Sequence, residues 1–269
     1  MSTTFSSTVT SLLPTTEQSP APVLPSSKLK ERLSHLYALA QRSHFVFGSP
    51  LGPFYHQGRN LHLPRFVYFG THTHDESLRL AFLSGFDHTD LRGSFALAQL
   101  IEHLALTPDI GHGLNLSFFP LVDAAGLFQG ETGRSLATEN WATSSQPEIE
   151  LLSRDAQTRT YHGYVRVETA QGADDITVSL RGTSAASGVE LVSSADFEPL
   201  PVRWEAEPLA TSNTSGPLSL ADDLAFAPFK LILRVPGNWP SDLYRVAVSS
   251  FLKRFVLRHR EFQAISHNI

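Results

Sequence analysis

The sequence contains no cysteine, which excludes disulfides, thiolate metal ligands and a cysteine nucleophile. No run approaches the roughly 20 apolar residues of a membrane span, so no membrane partner is expected. No basic segment leading into an apolar one opens the chain, so a signal peptide is not expected and a cytoplasmic location is. Glycine-rich phosphate loops, the G-x-S-x-G elbow and the Rossmann fingerprint are missing, which leaves nucleotide-dependent and serine-hydrolase chemistry without a motif. Basic residues are outnumbered and scattered: 21 Lys and Arg against 26 Asp and Glu give a net charge of −5, with no footprint for nucleic acid.

What is present is a 269-residue chain with 41% hydrophobic and 17% charged residues, the balance of a globular protein with a proper core. Residues 1–26 are rich in Ser, Thr and Pro and are expected to form a mobile arm, because they bury too little to offset their ordering entropy. Residues 27–269 are expected to form one domain. Leu29, Leu33, Leu36, Tyr37 and Ala40 share a helical face behind Ser27, a candidate N-cap. Phe45 to Asn60 reads as loop with a short edge strand, given Gly48, Pro50, Gly52, Pro53 and Gly58.

The stretch RFVYFGTHTHDESLRLAFL, residues 65–83, reads as a strand, a polar elbow and a helix from about Glu76 to a stop at Gly85. His72, His74, Asp75 and Glu76 stand within five residues, all able to ligate a divalent cation or move a proton. After the polar link DHTD comes a second helix, LRGSFALAQLIEHLAL, and then LNLSFFPLVD, a strand inside a sheet. Asp123 to Pro147 is a long polar loop. Pro147 stands at the first position of another helix. YHGYVRVETA, DITVSLRG and FKLILRVPG read as strands, VELVSS and LPVRWEA as further short ones, and Ser241 to Gln263 as the closing helix. Alternating strands and helices predict an α/β fold with a mixed, largely parallel central sheet and helices on both faces.

Gly58-Arg59 before RFVYFG, the elbow GTHTHDES, the strand-turn FFPLVDAAG, SLATENW, Pro147-Glu148, YVRVETA, LILRVPG and Arg245-Val246 follow one another in that order. Over roughly residues 50–260 this order resembles the zinc carboxypeptidase superfamily, in particular its short branch of succinylglutamate desuccinylase and aspartoacylase-like proteins. The resemblance implies a three-layer α/β hydrolase of the carboxypeptidase type. It implies zinc held by a His and a Glu three apart at a strand end and by a second His, with a water in the open position. A glutamate takes the proton from that water, and arginines neutralise the oxyanion and a substrate carboxylate.

Set on this chain, the resemblance puts the elbow ligands at His72 with Asp75 or Glu76, and the third ligand at Glu168. The general-base position falls on Arg234, which cannot accept a proton at working pH. The clamp motif falls on Ala137-Thr138, leaving Arg134 or Arg59 to neutralise a substrate carboxylate. Two readings stand. In one, the protein is a metal-dependent amide hydrolase, a carboxypeptidase or N-acyl amino acid deacylase, with an altered site. In the other it is a non-catalytic relative that binds a peptide or small carboxylate in the old cleft. In that second reading Glu168 is paired with an arginine such as Arg234 across neighbouring strands.

Overall fold

The structure, a computed structural model, describes residues 26–73, 77–129, 135–137, 144–182, 202–206 and 229–266. The expectations for residues 1–25, His74, Asp75, Glu76, Arg134 and the strand VELVSS lie outside the described residues. The chain opens with helix α1 (Ser26–Ala40), which buries Leu29, Leu33, Leu36 and Ala40 on one stripe. Strand β1 (Val46–Gly48) and the hairpin β2 (Leu51–His56) and β3 (Arg59–Leu63) follow, where the glycines and prolines predict mostly loop. Strands β4 (Phe66–Phe69) and β5 (Leu78–Leu83) come next, then helix α2 (Arg92–Leu106) and β6 (Leu114–Phe119). A short helix α3 (Ala124–Gln129) interrupts the expected long loop, and α4 (Pro147–Arg159) starts at its proline as expected. Strands β7 (Gly163–Ala170), β8 (Ile176–Gly182), β9 (Val202–Ala206) and β10 (Phe229–Pro236) precede the closing helix α5 (Ser241–Ser266).

Eight strands form one sheet in the order β1-β4-β6-β5-β7-β10-β8-β9. Its centre is parallel: β5 pairs with β6 and β7, and β7 with β10, all in the same direction. β4 and β8 run against this block on either side. From β5 the chain crosses to β6 on one side, and from β6 it crosses back over β5 to β7. Right-handed crossovers in opposite directions place α2 and α4 on opposite faces. Helix α2 packs against α1 and α5, while α3 and α4 contact the β2–β3 hairpin. Phe82 lies at the middle of the core: its ring stacks 5.0 Å from Phe118 on β6 and meets Phe255 of α5 edge-on.

One element differs in kind from its sequence reading. LRLAFL, expected as the first turns of a helix, is the buried strand β5, with Arg79 its one residue that is not fully buried. A short apolar run has no period that separates a buried strand from a buried helix, and the two neighbouring strands decide. Gly85, expected as a helix stop, has a φ of +67° in a strand-to-helix turn; a Cβ there would lie 2.8 Å from the Pro120 carbonyl oxygen. The strand β4 is therefore followed by a second strand and not by a helix, and hydrogen bonds from Gly70 N to the Leu114 carbonyl and from Gly113 N to the Thr71 carbonyl hold Gly70 and Thr71 at the start of β6.

Candidate functional site

In an open α/β sheet, ligands bind in the crevice at the carboxyl ends of the parallel strands. Here that edge receives Ser84 to Asp87, Thr89 and Asp90 from the end of β5, Val167 to Thr169 and Gln171 from the end of β7, and Tyr244 from α5. With Ser135 and Ala137 they line a cleft of about 230 Å³. Three carboxylates, Asp87, Asp90 and Glu168, are among its walls.

Each carboxylate is engaged by this chain's own groups. Asp87 Oδ1 accepts hydrogen bonds from the Thr89 backbone N–H (2.8 Å) and hydroxyl (2.6 Å), an Asx-type turn that shapes the loop. Asp90 Oδ1 accepts from Arg92 Nε at 2.9 Å and Asp90 Oδ2 from Arg92 Nη2 at 2.6 Å, a two-point pair. Burial alone raises the Asp90 pKa, but hydrogen bonds from Arg92 and Thr169 and the charge of Arg92 outweigh it and hold the carboxyl below its usual range. Arg92 Nη1 also donates to the carbonyls of Gly237 and Trp239, both at 3.0 Å, and its guanidinium lies over the Tyr244 ring. It thus fastens the start of α2 to the β10–α5 turn. Burial pushes the Tyr244 hydroxyl pKa up, and that hydroxyl lies 3.2 Å from Thr169 Oγ1.

Glu168 stands between two arginines. Arg166, two residues back on β7 and so on the same face of the sheet, pairs with Glu168 Oε1. Its side chain is only 3% exposed, it donates to the Ala137 carbonyl at 3.0 Å, and it lies 4.3 Å from the centre of the Phe86 ring. Arg234 sits directly across from Glu168 in the parallel β7–β10 pairing. Its Nε lies 3.6 Å from Glu168 Oε2, and its Nη1 donates to Ser179 Oγ on β8 at 2.8 Å. The cross-strand pair between Glu168 and Arg234 is thus present across neighbouring strands. The arginines that hold Asp90 and Glu168 are themselves not among the residues lining the cleft.

Next to the cleft, His88 Nδ1 lies 2.7 Å from Oδ2 of the wholly buried Asp123. Asp123 Oδ1 accepts from Gly126 N at 3.0 Å, and the equally buried Glu148 accepts from Ala125 N at 3.1 Å. Two carboxylates thus satisfy amide groups that open α3, where their charge is favoured. Asp123 N also donates to the Gly85 carbonyl, which ties this corner to the cleft-lining loop.

The structure does not gather all the residues that the sequence puts forward. His72 is exposed, has a φ of +58°, and lies between β4 and β5, with its ring 4.8 Å from that of His112. That is the amino end of β5, whereas Glu168 is near the carboxyl end of β7. The six residues of β5 separate these edges by about 20 Å at roughly 3.3 Å per residue, so His72 and Glu168 do not share a site. Arg59 is exposed at the turn of the β2–β3 hairpin and does not line the cleft. Asp75, Glu76 and Arg134 lie outside the described residues.

The strand-to-helix elbow of the molecule is Gly85–Leu91, between β5 and α2. In it Asp87 and Asp90 stand three apart, the spacing that the sequence reading seeks at His72 and Asp75. The signal was the polar link DHTD after a glycine, obscured by reading LRLAFL as helix.

Asp87, Asp90 and Glu168 are poor zinc ligands as arranged. The set contains no imidazole, Asp90 and Glu168 are each paired with guanidinium groups, and Arg234 puts a fixed positive charge beside the third position. Among the described residues no group of three or more His, Asp and Glu is placed to hold a metal ion. Among them, too, no helix is long and apolar enough to cross a membrane.

No protein-family model matches the sequence, and no curated protein does. Solved structures match the fold closely. A protein from Shewanella amazonensis SB2B, provisionally designated a metallopeptidase, is 18% identical with a TM-score of 0.64, over 88% of this chain and 97% of its own. A metallo-carboxypeptidase from Pseudomonas aeruginosa, solved with (2-guanidinoethylmercapto)succinic acid, is 14% identical with a TM-score of 0.58, over 86% of this chain and 69% of its own. An aspartoacylase family protein from Mesorhizobium loti MAFF303099 is 13% identical with a TM-score of 0.57, over 80% of this chain and 67% of its own. The chain has the fold shared by the metallo-carboxypeptidases and the aspartoacylase-like proteins.

Proposed function

We propose that this protein is a non-hydrolytic relative of the carboxypeptidase-fold enzymes, and that it uses the cleft between the ends of β5 and β7 to bind a peptide or small carboxylate-bearing molecule through that molecule's ammonium, guanidinium or amide N–H groups. The observation that carries this reading is the pairing of Glu168 with both Arg166 and Arg234. Hydrolysis in this fold family needs a metal ligand at the position of Glu168 and a proton acceptor at that of Arg234. Here the one is an ion-paired carboxylate, and the other is a guanidinium, which takes no proton at working pH. The cleft's volume is below the roughly 300–1,000 Å³ of drug-sized sites, which favours an occupant of amino-acid size. Asp87, Asp90 and Glu168 offer acceptors to its ammonium or amide N–H groups. The Pseudomonas aeruginosa neighbour supplies a probe of suitable chemistry, a succinic acid carrying a guanidino arm.

The test is calorimetric titration of that succinate derivative and of short peptides, beside hydrolysis assays on peptides and N-acyl amino acids with zinc added. Saturable binding without turnover supports the reading. Turnover that disappears in Glu168→Gln contradicts it.

The hydrolase reading retains one specific observation. His72 and His112 present neighbouring rings at the opposite edge of the sheet, and a cation held there would lie outside the cleft. Zinc bound by the wild type and lost in His72→Ala would place it there.

A further inference from the structure

We infer that guanidinium groups of this chain have taken over the charge-neutralising role of a metal ion in the cleft, so that the site is complete without a cation and becomes a cation site only when an arginine is removed. Charge balance at the carboxyl ends of β5 and β7 supports this. Three carboxylates line one small cleft. Side by side and unneutralised, they would repel one another and pay for partial burial. In a metal centre the cation offsets both effects.

Here the offset is built into the chain. Arg92, on the first position of α2, takes both oxygens of Asp90. Arg166 on β7 takes one oxygen of Glu168, and Arg234 on β10 approaches the other at 3.6 Å. Three arginines thus match the three carboxylates in number, one at Asp90 and two at Glu168, while Asp87 is held by the Thr89 N–H and hydroxyl, and no added ion is needed to offset the charge.

The same arginines are positioned by contacts that a metal-holding cleft would not require. Arg92 reaches the carbonyls of Gly237 and Trp239 and stacks on Tyr244; Arg166 stacks on Phe86 and donates to Ala137 O; Arg234 donates to Ser179. The guanidinium plane suits these simultaneous contacts, which a bare cation or a lysine would not supply. Their geometry therefore belongs to the fold and does not wait for a ligand. This inference is independent of the occupant proposed above: the cleft can be cation-independent whatever it binds.

The test uses the full chain without a histidine tag, purified with and without EDTA, and reads thermal unfolding and equilibrium binding of zinc and magnesium. Wild type is expected to unfold at the same temperature with EDTA, with zinc or with neither. Arg234→Gln, a change at a half-exposed residue, releases one oxygen of Glu168 and is expected to raise divalent-cation affinity at least about tenfold, the effect of removing an opposing charge a few ångströms away. The double variant Arg234→Gln/Glu168→Gln, which has lost the carboxylate, is expected to lose that gain. Wild type, and equally His72→Ala, carrying a stoichiometric cation whose removal lowers the unfolding temperature would overturn the inference. So would an Arg234→Gln protein that folds and shows no gain. Should Arg234→Gln fail to fold, Arg234→Met, which also removes the charge but keeps an apolar stem of similar length, gives the same comparison.

Discussion

Arg234 Nε lies 3.6 Å from Glu168 Oε2, one strand across a parallel pairing in which the two residues are in register. The pairing explains why one strand end can hold a carboxylate and the next a guanidinium without penalty. The two arginine partners of Glu168 are not equally buried. Arg234 is 31% exposed, while Arg166, the other partner of Glu168, is 3% exposed.

That asymmetry predicts unequal mutational costs. Arg234→Ala removes a half-exposed partner and is expected to cost about 0–1 kcal/mol. Glu168→Ala leaves the Arg166 guanidinium buried without its carboxylate and is expected to cost up to about 3 kcal/mol. Urea unfolding of the two variants measures the difference, and equal losses would contradict the assignment of Arg166 as the buried partner.

The Asp90–Arg92 pair predicts a loss of stability in acid. A carboxyl whose pKa is lower in the folded state stabilises the fold above its unfolded value, and the contribution is lost as pH falls through the folded value. Unfolding temperature should therefore drop below about pH 4. In Asp90→Asn/Arg92→Gln, which removes both charges, the part of that drop due to this pair should be missing.

At the neighbouring corner, Asp123→Ala removes the acceptor for Gly126 N and the partner of His88. The expected loss is about 1–3 kcal/mol for the buried groups left behind. Asp123→Asn keeps an acceptor oxygen and should recover part of it. Chemical denaturation of the pair provides the comparison.

Gly85→Ala tests the turn that carries the cleft-lining loop. A φ of +67° and a Cβ site 2.8 Å from a backbone carbonyl leave no unstrained place for a methyl group. A loss above about 1 kcal/mol is expected. Gly172→Ala is the control: it also has a positive φ, +73°, but nothing lies within 4 Å of a Cβ there, so it should cost less.

Much of the architecture is legible in the sequence, because helices α1, α2, α4 and α5 carry apolar stripes or a Pro start and β6, β7, β8, β9 and β10 are marked by apolar runs or alternation. The site is less legible, and one element accounts for most of the shortfall. With LRLAFL read as a helix, the elbow falls at His72, one strand too early, and Asp87 and Asp90 pass as a polar link. Glu168 and Arg234, singled out through the family resemblance, stand side by side near the ends of β7 and β10. Arg166 is missed: on sequence it is the polar member of YVRVETA, and only the fold shows that Phe86 and Ala137 cover it.

In the inference drawn above, the cleft is held by arginine–carboxylate pairs rather than by a metal. A crystal structure of the untagged protein grown with zinc, with anomalous data collected at the zinc edge, tests it most directly. The account predicts no anomalous peak within bonding distance of Asp87, Asp90 or Glu168, and electron density that shows Arg234 and Arg166 against Glu168. A peak bonded to those carboxylates, with Arg234 turned away, would contradict it.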